Sequence, residues 1–310
     1  MFRPNCVSRR DFLASTGAGL VAVNEAFLSG AGRQASIPLL KCTINGGLRR
    51  GTHPALPTTP AECATTARAV VEAGARAIHV HVRAADGAES IAPDDIARTL
   101  TAMRATAPGT PIGVSTHFRI LGDVARRREV VAAWSELPDF ASVNFNEDGA
   151  PDLARQLIDL GVGVEAGLFH AEAARVCVQS GLAPRCLRLM LEPGGGELQE
   201  VLQRVAEMEA VLDAARPETP RLLHGGGATS WDIVDEAARR RYQTRVGFED
   251  SLEMPDGRTA RDNAEMVAEA ARRIRAASAG HQWPVPAMSV FGGGALRVVR
   301  YPSLTASRLP

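Results

Sequence analysis

NGGLRRG, residues 45–51, closes the first strand-like run of the chain, LLKCTIN (39–45), and its reading decides the fold. A doubly wound sheet that binds a dinucleotide would carry G-x-G-x-x-G at this place, with an acidic residue about 20 positions further on. NGGLRRG does not have that spacing. Seven more apolar or β-branched runs follow: 77–82, 111–116, 140–145, 161–167, 186–192, 221–226 and 244–250. Behind each of the eight comes a stretch with helical periodicity, at 60–73, 94–106, 123–135, 151–160, 170–179, 197–214, 231–240 and 260–275. Several of these open on capping residues, as in TTPAECA (58–64) and DGAPDLA (148–154). Strands alternating with helices build right-handed βαβ units on a parallel sheet. Eight of each in about 240 residues predict an α/β fold of the (β/α)8 TIM-barrel type, a single catalytic domain over residues 36–280.

The bulk composition suits such a barrel. The chain has 310 residues, 45% hydrophobic and 23% charged, with a formal net charge of +0. That balance excludes the basic footprint of a nucleic-acid binder, and no apolar run is long enough to span a membrane. Five cysteines, Cys6, Cys42, Cys63, Cys177 and Cys186, are widely spaced with no C-x-x-C pair. They read as thiols of a reducing, cytoplasmic compartment. SRRDFLASTGAGLVAV (8–23) follows the pattern of a twin-arginine export signal, which makes the periplasm the alternative location. Residues 1–35 are therefore set apart as a leader. Residues 281–310, without a clear period, read as an extended or partly disordered tail.

In a barrel of this kind the C-terminal strand ends form the functional face. AIHVHVR (77–83) puts His79 and His81 two residues apart late on strand two, where they share a face. Ser115, Thr116 and His117 close strand three, His224 ends strand seven, Asn45 ends strand one, and Glu249 and Asp250 close strand eight. Ring closure sets strand eight beside strand one, and strand one beside strand two. His79, His81 and Glu249 then converge, and two imidazoles with one carboxylate and an open position make a catalytic zinc set. The competing reading is two core histidines and a solvated acidic pair. Arg245, Gly247 and Glu249 share a strand face, which leaves an inward arginine in need of an anionic partner. Lys41 is the only lysine, and it stands early on strand one, away from that face. Schiff-base chemistry is thereby removed, and a carbanion would need a metal as its electron sink.

HVHVR on strand two, ST at the end of strand three, and RVGFED (245–250) before PDGRTARDNAEMV resemble the β-keto acid cleavage enzymes, whose founding activity is 3-keto-5-aminohexanoate cleavage. The resemblance covers roughly residues 38–276, the barrel range. It implies a homo-oligomeric, zinc-dependent acyltransferase that converts a β-keto acid and acetyl-CoA into acetoacetate and a new acyl-CoA. By that resemblance His79, His81 and Glu249 hold Zn2+, Arg245 and Asp250 form the catalytic pair, and Ser115 contacts the substrate. Ser142 occupies a position where the family has Thr or Ser. His224 joins the substrate-binding set and is the alternative base. The chain departs from the family after strand one, with Leu48 near the place of an acidic residue. Arg49 and Arg50 follow it, which points to a distal substrate group that is anionic rather than an amine. Their competing reading is a solvated loop pair.

Two other functions fit parts of the pattern. An amidohydrolase also uses H-x-H and a strand-eight Asp, but it wants H-x-H on strand one and further histidines on strands five and six. Strand six, CLRLMLE (186–192), has none, and His170 opens a helix. A non-catalytic exported binding protein would suit the twin-arginine leader.

Overall fold

The structure is a computed structural model and describes residues 38–278, 288–292 and 295–299. Eight strands, β1 (Leu40–Thr43), β2 (Ala77–Val80), β3 (Ile112–Ser115), β4 (Phe140–Asn144), β5 (Gly163–Leu168), β6 (Arg188–Leu191), β7 (Arg221–Leu223) and β8 (Thr244–Val246), are separated by helices. These are α1 (Pro60–Ala73), α2 (Pro93–Thr106), α3 (Val124–Ala132), α4 (Ala150–Asp159), α5 (Ala171–Gln179), α6 (Leu198–Ala215), α7 (Ser230–Arg240) and α8 (Asn263–Ser278). All neighbouring strands run parallel, in the order β7-β6-β5-β4-β3-β2-β1-β8. Between β7 and β8 the ring closes on few bonds. Leu223 N donates to Gln243 O (2.9 Å), Gln243 N to Arg221 O (3.0 Å) and Thr244 Oγ1 to Leu223 O (2.8 Å). The fold is the predicted TIM barrel.

Local chemistry starts α1 where the sequence placed it. Pro60 opens α1 behind Thr59, and a complete capping box joins Thr59 and Glu62. The buried faces of α1 (Cys63, Ala67, Val70) and α8 (Met266, Val267, Ala270, Ile274) share one apolar core with outward strand residues such as Cys42, Ile78, Val80 and Val114.

The barrel interior is layered. Leu39, Ala77, Phe140 and Leu187 form a small apolar cluster at the strand starts. A β-carbon on Gly113 would lie only 1.9 Å from the Phe140 ring, so the bare glycine on β3 leaves the space that ring fills. Above this cluster sits a buried ion layer. Glu165 accepts from Lys41 Nζ at 2.5 Å and from Arg188 Nη1 at 2.7 Å, and all three side chains are fully buried. With two cations beside it, Glu165 stays ionised below the usual carboxylate range, even though burial opposes this. Lys41 shares that one carboxylate, and burial pushes its pKa down to about 8. The lone lysine is structural, as its place on strand one suggested. The polar site lies on top of this layer.

Beyond the barrel, β9 (Met288–Gly292) and β10 (Ala295–Val299) pair antiparallel, with Phe291 opposite Leu296. Part of the tail is thus paired extended strand, and the rest of 281–310 lies outside the described residues, as does the leader 1–35 with its twin arginine. Among the described residues no helix is long and apolar enough to cross a membrane.

Candidate active site

The predicted histidine pair and carboxylate meet at the top of the barrel. His79 Nε2 lies 3.7 Å and His81 Nε2 3.6 Å from the same Glu249 oxygen, Oε2. One donor atom from each residue falls within 4.8 Å of the others. Glu249 Oε2 is buried and has no hydrogen-bond partner, and neither has His79 Nδ1. Leaving such an acceptor unmatched costs about 1–3 kcal/mol, and a divalent ion between the three groups would remove that cost. Burial drives His79 down to about 3, which keeps its imidazole neutral as a ligand must be. The residues present fit zinc.

Two devices that the sequence did not announce orient this trio. β2 ends at Val80, so His81 lies just past the ladder. The Asn45 amide continues the pairing in place of backbone: His81 N donates to Asn45 Oδ1 and Asn45 Nδ2 to His81 O, both at 2.9 Å. Glu89 then receives His81 Nδ1 in a hydrogen bond, the carboxylate–histidine arrangement that fixes a ligand's tautomer. Burial raises the Glu89 pKa, but His81 and Arg119 outweigh it and bring it to about 2.

β8 also ends earlier than its pattern suggested, at Val246. The expectation that Arg245, Gly247 and Glu249 alternate on one continuous strand is corrected here. Gly247 takes φ +152°, and Asp250 N donates to Gly247 O at 2.9 Å, closing a turn. On a continuous strand Glu249 and Asp250 would face opposite sides. The turn aims both into the barrel mouth. Asp250 Oδ1 accepts from Arg245 Nη2 at 2.8 Å, and Oδ2 accepts from Thr43 Oγ1 at 2.9 Å. Burial would raise the Asp250 pKa, yet Arg245 and His224 hold it below its ordinary value. Arg245 also reaches Glu249 at 3.1 Å and Glu192 at 3.8 Å, so the inward arginine has its anionic partners. His224 bridges Asp250 (Nδ1, 3.4 Å) and Glu192 (Nε2, 3.0 Å). Burial and Arg245 lower its pKa, while Asp250 and Glu192 raise it by more.

These groups face a cavity of about 290 Å³ that Ser115, Ser142, Asn144, His117 and Arg119 also line. Arg49 and Arg50 are not brought to it. Both are exposed, and Arg50 donates to Thr58 Oγ1 (2.9 Å) and Glu62 (3.1 Å) beside the α1 cap. His170 caps α5 from an exposed position, its Nδ1 accepting from Ala173 N at 3.2 Å, so the additional histidines of an amidohydrolase are not gathered here. A larger hollow of about 690 Å³ lies at the opposite end, near the starts of β5, β6 and β7. It carries Arg185, Arg216 and Glu218 but none of the His and carboxylate groups above.

Fold and site together define a TIM barrel with three converging groups that could hold a metal ion and a separate carboxylate, Asp250, beside them. The family model described as beta-keto acid cleavage enzyme matches residues 39–280, and the chain belongs to that family. It is similar to 3-oxoadipate:acetyl-CoA acetyltransferase of Cupriavidus necator, with 38% identity over 124 residues. That match takes in 37% of this chain and 42% of the relative, so the chain spans under half the length of the curated relative it matches. Among solved structures it is similar to ObcA in a binary complex with oxaloacetate, at 19% identity and TM-score 0.59 over 74% of this chain and 65% of that one. ObcA in a ternary complex with a C4-CoA adduct and oxalate aligns with TM-score 0.60 at 18% identity, over the same shares of the two chains. At that identity the likeness is one of fold.

Proposed function

We propose that this chain is a zinc-dependent acyltransferase that cleaves a β-keto acid with acetyl-CoA, giving acetoacetate and the acyl-CoA of the remaining chain. One observation carries the reading: Asp250, fixed by Arg245 and Thr43, stands one residue past Glu249 but is not itself among the three converging ligand atoms. The relative's name, which pairs a β-keto acid with acetyl-CoA, supports it.

Zinc held by His79, His81 and Glu249 would withdraw electron density from the acid's keto and carboxylate oxygens and so acidify its C2 proton. Asp250 takes that proton. Thr43 and Arg245 fix its two oxygens, and the Arg245 charge keeps the carboxylate ionised until substrate arrives. The C2 carbanion attacks the acetyl carbonyl, and the C–S bond breaks to release CoA thiolate. The thiolate then attacks the original keto carbonyl. The C2–C3 bond breaks, the acyl group stays on sulfur, and the acetoacetate carbanion recovers its proton from Asp250. Ser115 and Ser142 offer hydroxyl donors on the cavity wall, and His224 with Glu192 supports the far side of Asp250. The test is turnover of a β-keto acid panel by the zinc-loaded full chain with acetyl-CoA, following acetoacetate and acyl-CoA together. Product formation that needs no CoA would reject acyl transfer in favour of hydrolysis.

A further inference from the structure

Arg119 is the cation at the cavity that the chemistry above leaves unused. It follows β3, on the same wall as Ser115 and His117, and stays exposed while Arg245 is enclosed by Asp250, Glu249 and Glu192. Its Nε and Nη2 donate to Glu89 at 2.9–3.1 Å. Its Nη1 has no partner among the described residues. Gly47 makes this pose possible, because a β-carbon there would lie 2.5 Å from Arg119 Nη2. The guanidinium therefore rests across bare backbone at the cavity rim, braced from behind by Glu89.

Glu89 gives that brace a second consequence. The same carboxylate holds His81 Nδ1, so Glu89 links Arg119 to the ligand trio. One imidazole and one carboxylate separate its nitrogens from His81 Nε2, a reach of roughly 7–10 Å at ordinary hydrogen-bond lengths. A chain of a few carbons covers such a distance. Glu89 is already shared between two donors, so the outward edge of the guanidinium retains positive charge for a ligand, and a planar fork suits a carboxylate.

We propose that Arg119 binds an anionic group at the far end of the keto acid, and that the preferred acyl source is a short 3-oxo diacid. This rests on the acyl-transfer reading and assigns its substrate class. The anion reader is thus on the β3 side of the mouth, whereas the exposed Arg49–Arg50 pair is outside the cavity wall.

The experiment compares a six-carbon 3-oxo diacid with 3-oxohexanoate, its monoacid of equal length, in wild type, Arg119→Ala, Arg119→Lys and Gly47→Ala. Zinc content is measured in each. Arg119→Ala is expected to lower the diacid-to-monoacid ratio of kcat/KM at least tenfold, mainly through KM. Arg119→Lys should restore part of that ratio, and Gly47→Ala, which shifts the guanidinium tip without removing it, should lower the ratio by less than Arg119→Ala does. Calorimetric binding of the diacid without acetyl-CoA should weaken by a similar factor. An unchanged ratio overturns the proposal. Equal loss for both acids accompanied by loss of zinc also overturns it, because Arg119 would then only be steadying Glu89. If wild type turns over neither acid, calorimetry still decides. Wild type binding the diacid no more tightly than the monoacid then overturns the role of Arg119.

Discussion

Replacing Asp250 with Asn isolates the proton transfer from everything else the site does. Oδ1 of Asp250 accepts from the Arg245 guanidinium at 2.8 Å and Oδ2 from the Thr43 hydroxyl at 2.9 Å. An arginine cannot accept a hydrogen bond, so the new NH2 must turn toward Thr43, whose hydroxyl can rotate to receive it. The amide oxygen then keeps the Arg245 contact, and the geometry survives without the charge. Arg245 retains Glu249 at 3.1 Å and Glu192 at 3.8 Å, so no uncompensated cation is left buried. The folding cost should accordingly stay within about 1–3 kcal/mol. Catalysis should suffer more, since a positioned base contributes about 10²–10⁴-fold, or roughly 2.7–5.5 kcal/mol of barrier. The assay is exchange of the keto acid's C2 protons for solvent deuterium, followed by NMR without acetyl-CoA and corrected for the buffer rate. Wild type should exchange, while Asp250→Asn should bind zinc and keto acid and exchange at least about 10²-fold more slowly. Exchange as fast as wild type would refute the assignment, and His224, 3.4 Å from Asp250, would become the base to test.

Other expectations address the metal site and the frame beneath it. His79→Ala/His81→Ala protein should purify with little zinc, and full occupancy would remove the proposed ligand set. Glu89→Gln keeps the shape but loses the charge behind His81, so zinc affinity in a chelator competition should fall about 10–100-fold. Lys41 titrates near 8 when folded, against about 10.5 when unfolded, so in that window the unfolded chain binds more protons and stability rises with pH. The buried thiols of Cys63, pushed up to about 12, and Cys42 act in the opposite sense. The lysine contribution, about 3 kcal/mol at most, is therefore read as the wild-type minus Lys41→Met difference in urea midpoints between pH 8 and 10.5. A flat difference would place the charge of Lys41 elsewhere. Gly247→Ala would put a methyl 2.2 Å from Thr43 O at a φ of +152°, and should cost about 1–3 kcal/mol while pulling Thr43 away from Asp250. Activity unaffected in that variant would show the turn to be pliant.

Much of this protein could be read along the chain because the relevant chemistry is periodic. Alternating strand and helix patterns, capping at Thr59–Glu62 and the count of eight units led to the barrel, and the barrel's ring closure brought β8, β1 and β2 together. His79 and His81 were legible because side chains two apart on a strand share a face. Periodicity stops where strands stop, and there tertiary structure decided. Glu89 is eight residues past His81 in a loop, positioned by a bridge between Arg83 and Glu89 and by Arg119 from the following βα unit. Glu192 and His224 meet only because β6 and β7 are neighbours. The loop arginines show the limit most clearly. Arg49 and Arg50 stood out by sequence position, yet Arg50 binds Glu62 at a helix cap, while Arg119, with nothing local to mark it, reaches the cavity. A strand residue's direction follows from backbone geometry shared by every strand. The partner of a long charged side chain in a loop is chosen from whatever opposite charges the folded chain brings within reach, and that choice exists only in three dimensions.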